Sequence, residues 1–134
     1  MTDNFIPIGF IILLVSGSLM LSYKFITSRF LFWPVKNWRD YEKYCASVLS
    51  KTWFKKVRLG KGIKDGGIDI VAYKNGQKRV VQCKWYKSNI GLAHVQRHYG
   101  VAKSSAAKAC FMTSTGFTKE ARKFAKGRMT LKIV

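Results

Sequence analysis

The longest apolar stretch of the chain lies close to its beginning. Between Asp3 and Lys24 there are 20 residues without a charged side chain, and most of them are aliphatic or aromatic. About 20 residues, rising 1.5 Å each in a helix, span the ~30 Å hydrocarbon layer of a bilayer. The pattern predicts one transmembrane helix over about 4–23, within an anchor and juxtamembrane segment covering residues 1–35.

The charges on either side of this stretch predict its orientation. Lys24, Arg29 and Lys36 follow it, whereas Asp3 precedes it. Because basic flanks stay in the cytoplasm, we expect a single-pass membrane protein whose remaining residues are cytoplasmic. A secretory signal peptide is the competing interpretation, but the basic residues that begin such signals are missing. A buried core helix fits less well, because the stretch has no polar face.

After Trp33 and Pro34 the pattern changes to short periodic segments. Apolar residues at helical spacing, preceded by Asn37 and Asp40 as a capping pair, predict a first helix. Alternating or β-rich runs predict strands, and Gly-rich connections separate them. The predicted helices cover 38–50, 92–106 and 118–126, and the predicted strands cover 54–59, 68–73, 78–86, 108–113 and 129–134. The order α-β-β-β-α-β-α-β predicts one α/β domain over residues 36–134.

The net charge of the chain indicates what kind of molecule it binds. The chain has 25 Lys and Arg against 6 Asp and Glu, a formal charge of +19, and residues 36–134 carry +18 of it. A 48% apolar composition is too hydrophobic for a disordered protein. The basic excess therefore predicts a folded domain that contacts a polyanion, either nucleic acid or anionic lipid. Three cysteines without a C-x-x-C motif favour neither a disulfide framework nor a zinc site.

The run Asn75-Gly76 predicts a tight hairpin between the second and third strands. A two-residue loop places Asp69 directly opposite Gln82, and Lys84 lies on the same face two residues further on. A carboxylate, an amide oxygen and an ammonium group thus converge beside a Gly-Gly turn. Oxygen ligands of this kind suit a hard cation such as Mg²⁺.

These residues also carry a family resemblance. The run Asp65-Gly66-Gly67-Ile68-Asp69-Ile70, the run Gln82-Cys83-Lys84-Trp85-Tyr86 and the upstream pair Tyr41-Glu42 resemble the Mrr-like restriction endonucleases, a branch of the PD-(D/E)XK nucleases. The resemblance extends through His94-Val95-Gln96 and Gly116-Phe117-Thr118, and covers about residues 38–134. It implies a restriction-endonuclease-like core with a mixed sheet.

The resemblance also implies a role for each site residue. Asp69 would bind the metal, Mg²⁺ or Mn²⁺, and Gln82 would replace the second acidic ligand of the wider superfamily. Either its side chain or the Cys83 carbonyl would supply the oxygen. Lys84 would be the catalytic lysine, and Glu42 would bind the metal or orient a bound water. Asp65, Gly66 and Gly67 are expected to shape the loop, the glycines by adopting positive φ.

Two further groups of residues are candidate DNA contacts. Four basic residues recur at helical spacing on the last predicted helix, with no acid between them on that face. Such a stripe favours phosphate contacts, which supply affinity but no sequence specificity. The family resemblance adds Gln96 near the mouth of the site. His94 and His98 have the spacing of a metal pair, although phosphate contact is the simpler use of that face. The stripe consists of Lys119, Arg122, Lys123 and Lys126.

The sequence as a whole predicts a membrane-anchored, Mg²⁺-dependent DNA endonuclease of the restriction or defence type, with its nuclease domain in the cytoplasm. A homodimer is expected as a possible partner state, because cutting both strands normally needs two sites. One alternative is a catalytically silent basic tether that holds DNA at the membrane. Another is a lipid-facing basic patch with no role in nucleic-acid binding.

Overall fold

A computed structural model describes residues 35–61 and 66–134. The predicted anchor helix at 4–23 and the loop residue Asp65 lie outside these ranges. Within them, no helix is both long enough and apolar enough to cross a membrane. The described elements are α1 (Trp38–Ser50), β1 (Lys55–Leu59), β2 (Ile70–Lys74), β3 (Gln77–Lys84), α2 (Leu92–Ser104), β4 (Lys108–Thr113), α3 (Lys119–Ala125) and β5 (Thr130–Ile133).

The five strands form one mixed sheet in the order β1-β2-β3-β4-β5. β1 pairs antiparallel with β2, and β2 pairs antiparallel with β3. β3, β4 and β5 pair in parallel, and the helices α2 and α3 connect them. This is the mixed α/β architecture that the sequence predicts, with every element in the predicted order. The β1 ladder is irregular between Lys55 and Arg58, where Lys56 has a φ of 51°.

Apolar side chains cover both faces of the sheet. On one face, α1 packs Tyr41, Cys45 and Leu49 against the alternate residues of the central strands. On the other face, α2 and α3 cover Val80, Phe111 and their neighbours through residues such as Val95 and Ala121. Two buried faces explain why β4 is a continuous apolar run rather than an alternating one. All three cysteines are buried and free, as expected for small apolar residues.

The boundaries of several elements differ from the predicted ones by one or two residues. Ile68 and Asp69 precede β2, and Trp85 and Tyr86 follow β3, since the regular paired residues of the two strands are Ile70–Lys74 and Gln77–Lys84. Helix α1 begins as predicted: the Asn37 side chain accepts the Asp40 N–H at 3.0 Å. The predicted last helix is shorter, since its end residues 118 and 126 act as caps.

The hairpin has the predicted register. Asn75 and Gly76 both have positive φ, 52° and 75°, as a two-residue turn of this type requires. Ile70 pairs with Val81 and Lys74 with Gln77, so partners keep the spacing set by that turn. The Asp69 N–H extends the ladder to the Val81 carbonyl at 3.0 Å. The register therefore brings Asp69 level with Gln82, at the end of the sheet where β3 finishes.

Candidate active site

The Asp69 carboxylate is held in place by the third strand. Its Oδ2 atom accepts the main-chain N–H of Cys83 at 2.7 Å and an amide N–H of Gln82. Both bonds fall on the same oxygen. Within the described part of the chain, Oδ1 is the carboxylate oxygen left for a ligand. The hairpin thus fixes the direction of the one acidic side chain that the sheet contributes.

Gln82 therefore has an orienting role in this geometry. Its amide nitrogen is used by Asp69, and its Oε1 lies near Gly67, 3.5 Å from where a Cβ on that residue would be. Gly66 and Gly67 have φ values of 68° and 80°, which confirms the predicted left-handed turn. A side chain at these positions would be strained. Glycine therefore suits the two residues that lead into Ile68 and Asp69.

Glu42 approaches the same site from α1. It lies one residue after the buried Tyr41 and is half-buried at the border of the apolar face of α1. Burial, together with the nearby Asp69 charge, raises the pKa of Glu42 from 4.5 to about 7, while Arg39 and Lys84 act in the opposite direction. Glu42 and Asp69 also line the same cavity, which is the proximity that their predicted shared role requires.

Burial raises the pKa of Asp69 as well, although the Cys83 N–H, Lys84 and Gln82 oppose that rise. Two neighbouring carboxylates that both lose solvation are costly to ionise together. A divalent cation between them would offset this cost with oxygen ligands of the kind it prefers. Among the described residues, no group of three or more His, Cys, Asp or Glu could hold a metal ion. The two carboxylates would therefore need amide, water or phosphate oxygens to complete a coordination shell.

Lys84 stands at the last position of β3. Its Nζ lies 5.3 Å from the centre of the Tyr86 ring. Its positive charge acts to lower the pKa of both Glu42 and Asp69. The predicted set Glu42, Asp69, Gln82 and Lys84 is therefore brought to one end of the sheet. A nearby ammonium group can neutralise charge that develops on a phosphate, or help to deprotonate a water.

Two clefts open on either side of these residues. The larger, of about 460 Å³, contains Asp69 and Glu42 together with Trp38, Arg39 and Lys43 of α1. We call it the carboxylate cleft. The smaller, of about 210 Å³, contains Gln82 and Lys84 together with Tyr86, His94 and Arg97. We call it the lysine cleft.

The two clefts contain residues that the sequence reasoning missed. Trp38 is 60% exposed beside the two carboxylates, and Tyr86 is 40% exposed beside Lys84. Arg97 lines the lysine cleft, whereas Gln96 is exposed and is not among the residues that line either cleft. Arg97 could have been found from its spacing, since it lies three residues after His94 on one helix face.

The two histidines have different surroundings. His98 is 3% exposed, and its Nε2 lies 3.1 Å from the Val80 carbonyl oxygen, while burial lowers its pKa. His94 contacts the edge of the Tyr86 ring, with 5.9 Å between ring centres. His98 is thus anchored to the sheet through Nε2, whereas His94 contacts Tyr86, and both rings line the lysine cleft.

The basic stripe of the last helix is exposed, as its spacing predicts. Its residues lie opposite Ala121 and Ala125, which are buried against the sheet. The structure describes no contact between these four side chains and the two clefts. Their role in DNA binding stays a prediction. The stripe residues are Lys119, Arg122, Lys123 and Lys126.

Comparison with known proteins places this geometry in a family. The Mrr_cat family model, described as a restriction endonuclease, matches residues 36–134. The chain is 41% identical over 73 residues to the type IV methyl-directed restriction enzyme EcoKMrr of Escherichia coli (strain K12), which covers 52% of this chain and 24% of that enzyme. The crystal structure of a protein of unknown function, AF1548, matches with a TM-score of 0.57 at 24% identity, covering 67% of this chain and 54% of the other.

These matches differ in what they show. The likeness to AF1548 shows a shared fold. The chain spans about a quarter of the length of the E. coli enzyme and about half of AF1548. The family match covers all the described elements and the four residues brought together at the end of β3. The chain belongs to the Mrr-like restriction endonuclease family.

Proposed function

We propose that this protein is a divalent-metal-dependent endonuclease that hydrolyses phosphodiester bonds of DNA. The observation that carries the proposal is the Asp69 carboxylate, held by Cys83 and Gln82 beside Glu42 and within reach of the Lys84 charge. A polar strand end of this kind has no structural need for two acids whose pKa values both rise. The surrounding charge of the domain, +18 over residues 36–134, favours DNA as the partner.

Each residue has a defined task in this proposal. Asp69 and Glu42 hold the cation, and Gln82 fixes the Asp69 rotamer. When bound, Mg²⁺ or Mn²⁺ supplies positive charge at the scissile phosphate and lowers the pKa of a bound water. Lys84 neutralises charge on the phosphate oxygens or helps to deprotonate the attacking water. Arg97, in the lysine cleft, binds the adjacent phosphate.

The proposed substrate is double-stranded DNA. The relative from E. coli is a methyl-directed type IV restriction enzyme, which supports a restriction or defence role for this chain. Cutting both strands requires two active sites, and we therefore include a homodimer in the proposal. The measurement is the mass of the protein on DNA by light scattering: one chain per cut duplex would contradict it.

Membrane anchoring is a further part of the proposal. It rests on the uncharged stretch at 4–23 and on Lys24, Arg29 and Lys36 after it. Full-length protein that remains in the membrane pellet after alkaline extraction would support it. Release of the full-length protein with soluble proteins would contradict it.

Cleavage is tested with the full chain on supercoiled plasmid. We expect nicking or cutting that needs Mg²⁺ or Mn²⁺ and that stops in EDTA. Lys84→Met should lose this activity, while Lys55→Met, an exposed lysine on β1, should keep it. The opposite result is that the wild type and both variants bind DNA in a salt-sensitive way without any metal-dependent cleavage. That result would contradict the proposed endonuclease activity and favour the catalytically silent DNA-binding tether.

A further inference from the structure

A third cavity lies at the opposite end of the sheet from the two clefts. It has a volume of about 310 Å³, opens to solvent, and is lined by the start of β3, residues of α2, the turn before β4, the start of β4 and Arg128 before β5. We call it the distal hollow. The residues that matter for its chemistry are Lys78, Tyr99, Lys103, Ala107, Lys108 and Arg128.

The distal hollow is separate from the proposed active site. Lys78 and Lys84 lie on the same strand, six residues apart. At a rise of ~3.3 Å per residue, the two ends of that segment are about 20 Å apart. A phosphate held at Lys84 therefore cannot occupy the distal hollow. Whatever binds there needs contacts of its own.

The charge of the distal hollow is uniformly positive. Four of its lining residues are lysine or arginine, and no Asp or Glu lines it. Cations that share a small volume repel one another, and an anion between them removes that repulsion. The +19 charge of the chain makes exposed cations common, but the carboxylate cleft balances its cations with Glu42 and Asp69, and the lysine cleft has two lysine or arginine residues where the distal hollow has four.

Two of the cations contact neighbouring residues that orient their exposed side chains. Arg128 donates from its guanidinium to the Phe124 carbonyl at 2.9 Å, and its Cζ lies 5.1 Å from the centre of the Phe124 ring. Lys103 Nζ lies 5.9 Å from the centre of the Tyr99 ring. Cations that are already oriented lose less side-chain entropy when they bind an anion. Ala107, in the turn between α2 and β4, also lines the distal hollow, and its small side chain leaves space for a ligand.

We propose that the distal hollow binds a compact, multiply charged phosphate ligand, either inorganic pyrophosphate or the phosphates of a free nucleotide. Its volume is at the lower limit of small-molecule sites, which run from about 300 to 1,000 Å³. That size suits a diphosphate group and excludes a duplex from entering. The site is independent of the DNA-cleaving chemistry, because it shares no residue with either cleft.

The test is calorimetric titration of the full chain with pyrophosphate, and separately with ADP, at physiological salt and in EDTA. We expect saturable binding of one ligand per chain. Lys103→Gln/Lys108→Gln should weaken it by about tenfold or more, equivalent to about 1.4 kcal/mol. The matched control is Lys119→Gln/Lys123→Gln, which removes the same charge from the exposed face of α3 and should change the affinity by less than about twofold.

Several results would overturn the proposal. Equal weakening by the two double variants would make the binding a property of net charge. Binding that does not saturate with either ligand would contradict the proposed site. Displacement of bound pyrophosphate by a short DNA duplex would contradict it as well. Arg128→Gln, a single exposed substitution, repeats the test if the double variant is unstable. Tighter binding of ADP than of pyrophosphate identifies a nucleotide as the ligand, and equal binding identifies the phosphates alone; both outcomes support the site.

Discussion

The Asp69 carboxylate accepts the main-chain N–H of Cys83, 14 residues further along the chain, at 2.7 Å. A main-chain donor cannot be removed by mutation of a side chain, so the orientation of this carboxylate is built into the hairpin. Gln82 adds a second donor to the same oxygen. The hairpin therefore positions the acid whether or not a ligand is present.

Replacing Asp69 by Asn should abolish cleavage and leave the fold intact. The Asn side-chain oxygen still accepts the Cys83 N–H, but the negative charge that a cation needs is lost. Removing a residue that only hydrogen-bonds to a metal ligand lowers metal affinity or activity by about 10- to 100-fold. Because Asp69 is itself the proposed ligand, we expect the cleavage rate to fall by more than about a hundredfold. Plasmid nicking rates measure it, with Asp40→Asn, in the α1 cap, as the control. Cleavage within about threefold of the wild type would remove Asp69 from the site.

Replacing Gln82 by Glu should make stability depend on metal. The new carboxylate at this position would lie against the Asp69 carboxylate. The hydrogen bond from the Gln82 amide to Asp69 would be replaced by repulsion between two negative charges. In EDTA at neutral pH, the Tm should fall, and Mg²⁺ should restore more stability to this variant than to the wild type. Gln96→Glu, exposed on α2, is the control for added charge. A Tm in EDTA equal to that of the wild type would mean that the two side chains are not in contact.

The Glu42 pKa predicts how stability changes with pH. The folded protein holds the Glu42 proton more tightly than the unfolded chain does, since the folded pKa is about 7 and the unfolded value 4.5. Between these pH values the native state binds more protons, so this residue lowers the free energy of unfolding as pH rises. Glu42→Gln lacks the effect. Its stability in EDTA, relative to the wild type, should therefore increase from pH 4.5 to 7.

Denaturant melts at several pH values measure this difference. Glu120→Gln, an exposed acid on α3, is the matched control and should not reproduce the increase. A constant difference between Glu42→Gln and the wild type across the interval would contradict the raised pKa that burial and the Asp69 charge give Glu42. Added Mg²⁺ should reduce the difference at pH 7, because the cation stabilises the ionised form.

The basic stripe of α3 should control the salt dependence of DNA binding. Removing one lysine or arginine that binds a DNA phosphate reduces the slope of log affinity against log salt by about 0.9. Removing all four stripe cations should therefore lower the slope by up to about 3.6, with little change in cleavage rate at saturating DNA. The control removes four basic residues from the region of β1, Lys51, Lys55, Lys56 and Arg58. Similar slopes for the two variants would show that the stripe has no special role.

The hairpin and its chemistry could be predicted because they depend on neighbours in sequence. Asn75-Gly76 fixes the turn, the turn fixes the register, and the register places Asp69 level with Gln82. The positive φ of Gly66 and Gly67 follows from the same local reasoning. These features need no knowledge of how helices pack.

The residues of the clefts could not be predicted in this way. Whether Gln96 or Arg97 faces the site depends on how α2 is rotated about its axis, and that rotation is set by burial of Val95, His98 and Ala102 against the sheet. The sequence does not show which apolar contacts prevail. Glu42 could be assigned only through the resemblance of Tyr41-Glu42 to the family, because α1 approaches the site across the sheet.

The irregular pairing at β1 makes the two edges of the sheet unequal. A strand from another molecule that docked on β1 would meet an interrupted ladder and the charges of Lys55, Lys56 and Arg58. Such features prevent uncontrolled sheet extension and aggregation. Among the described residues, the other edge strand is β5, which has a regular parallel register and the exposed Ile133. If two copies join through their sheets, the continuous sheet should form across β5.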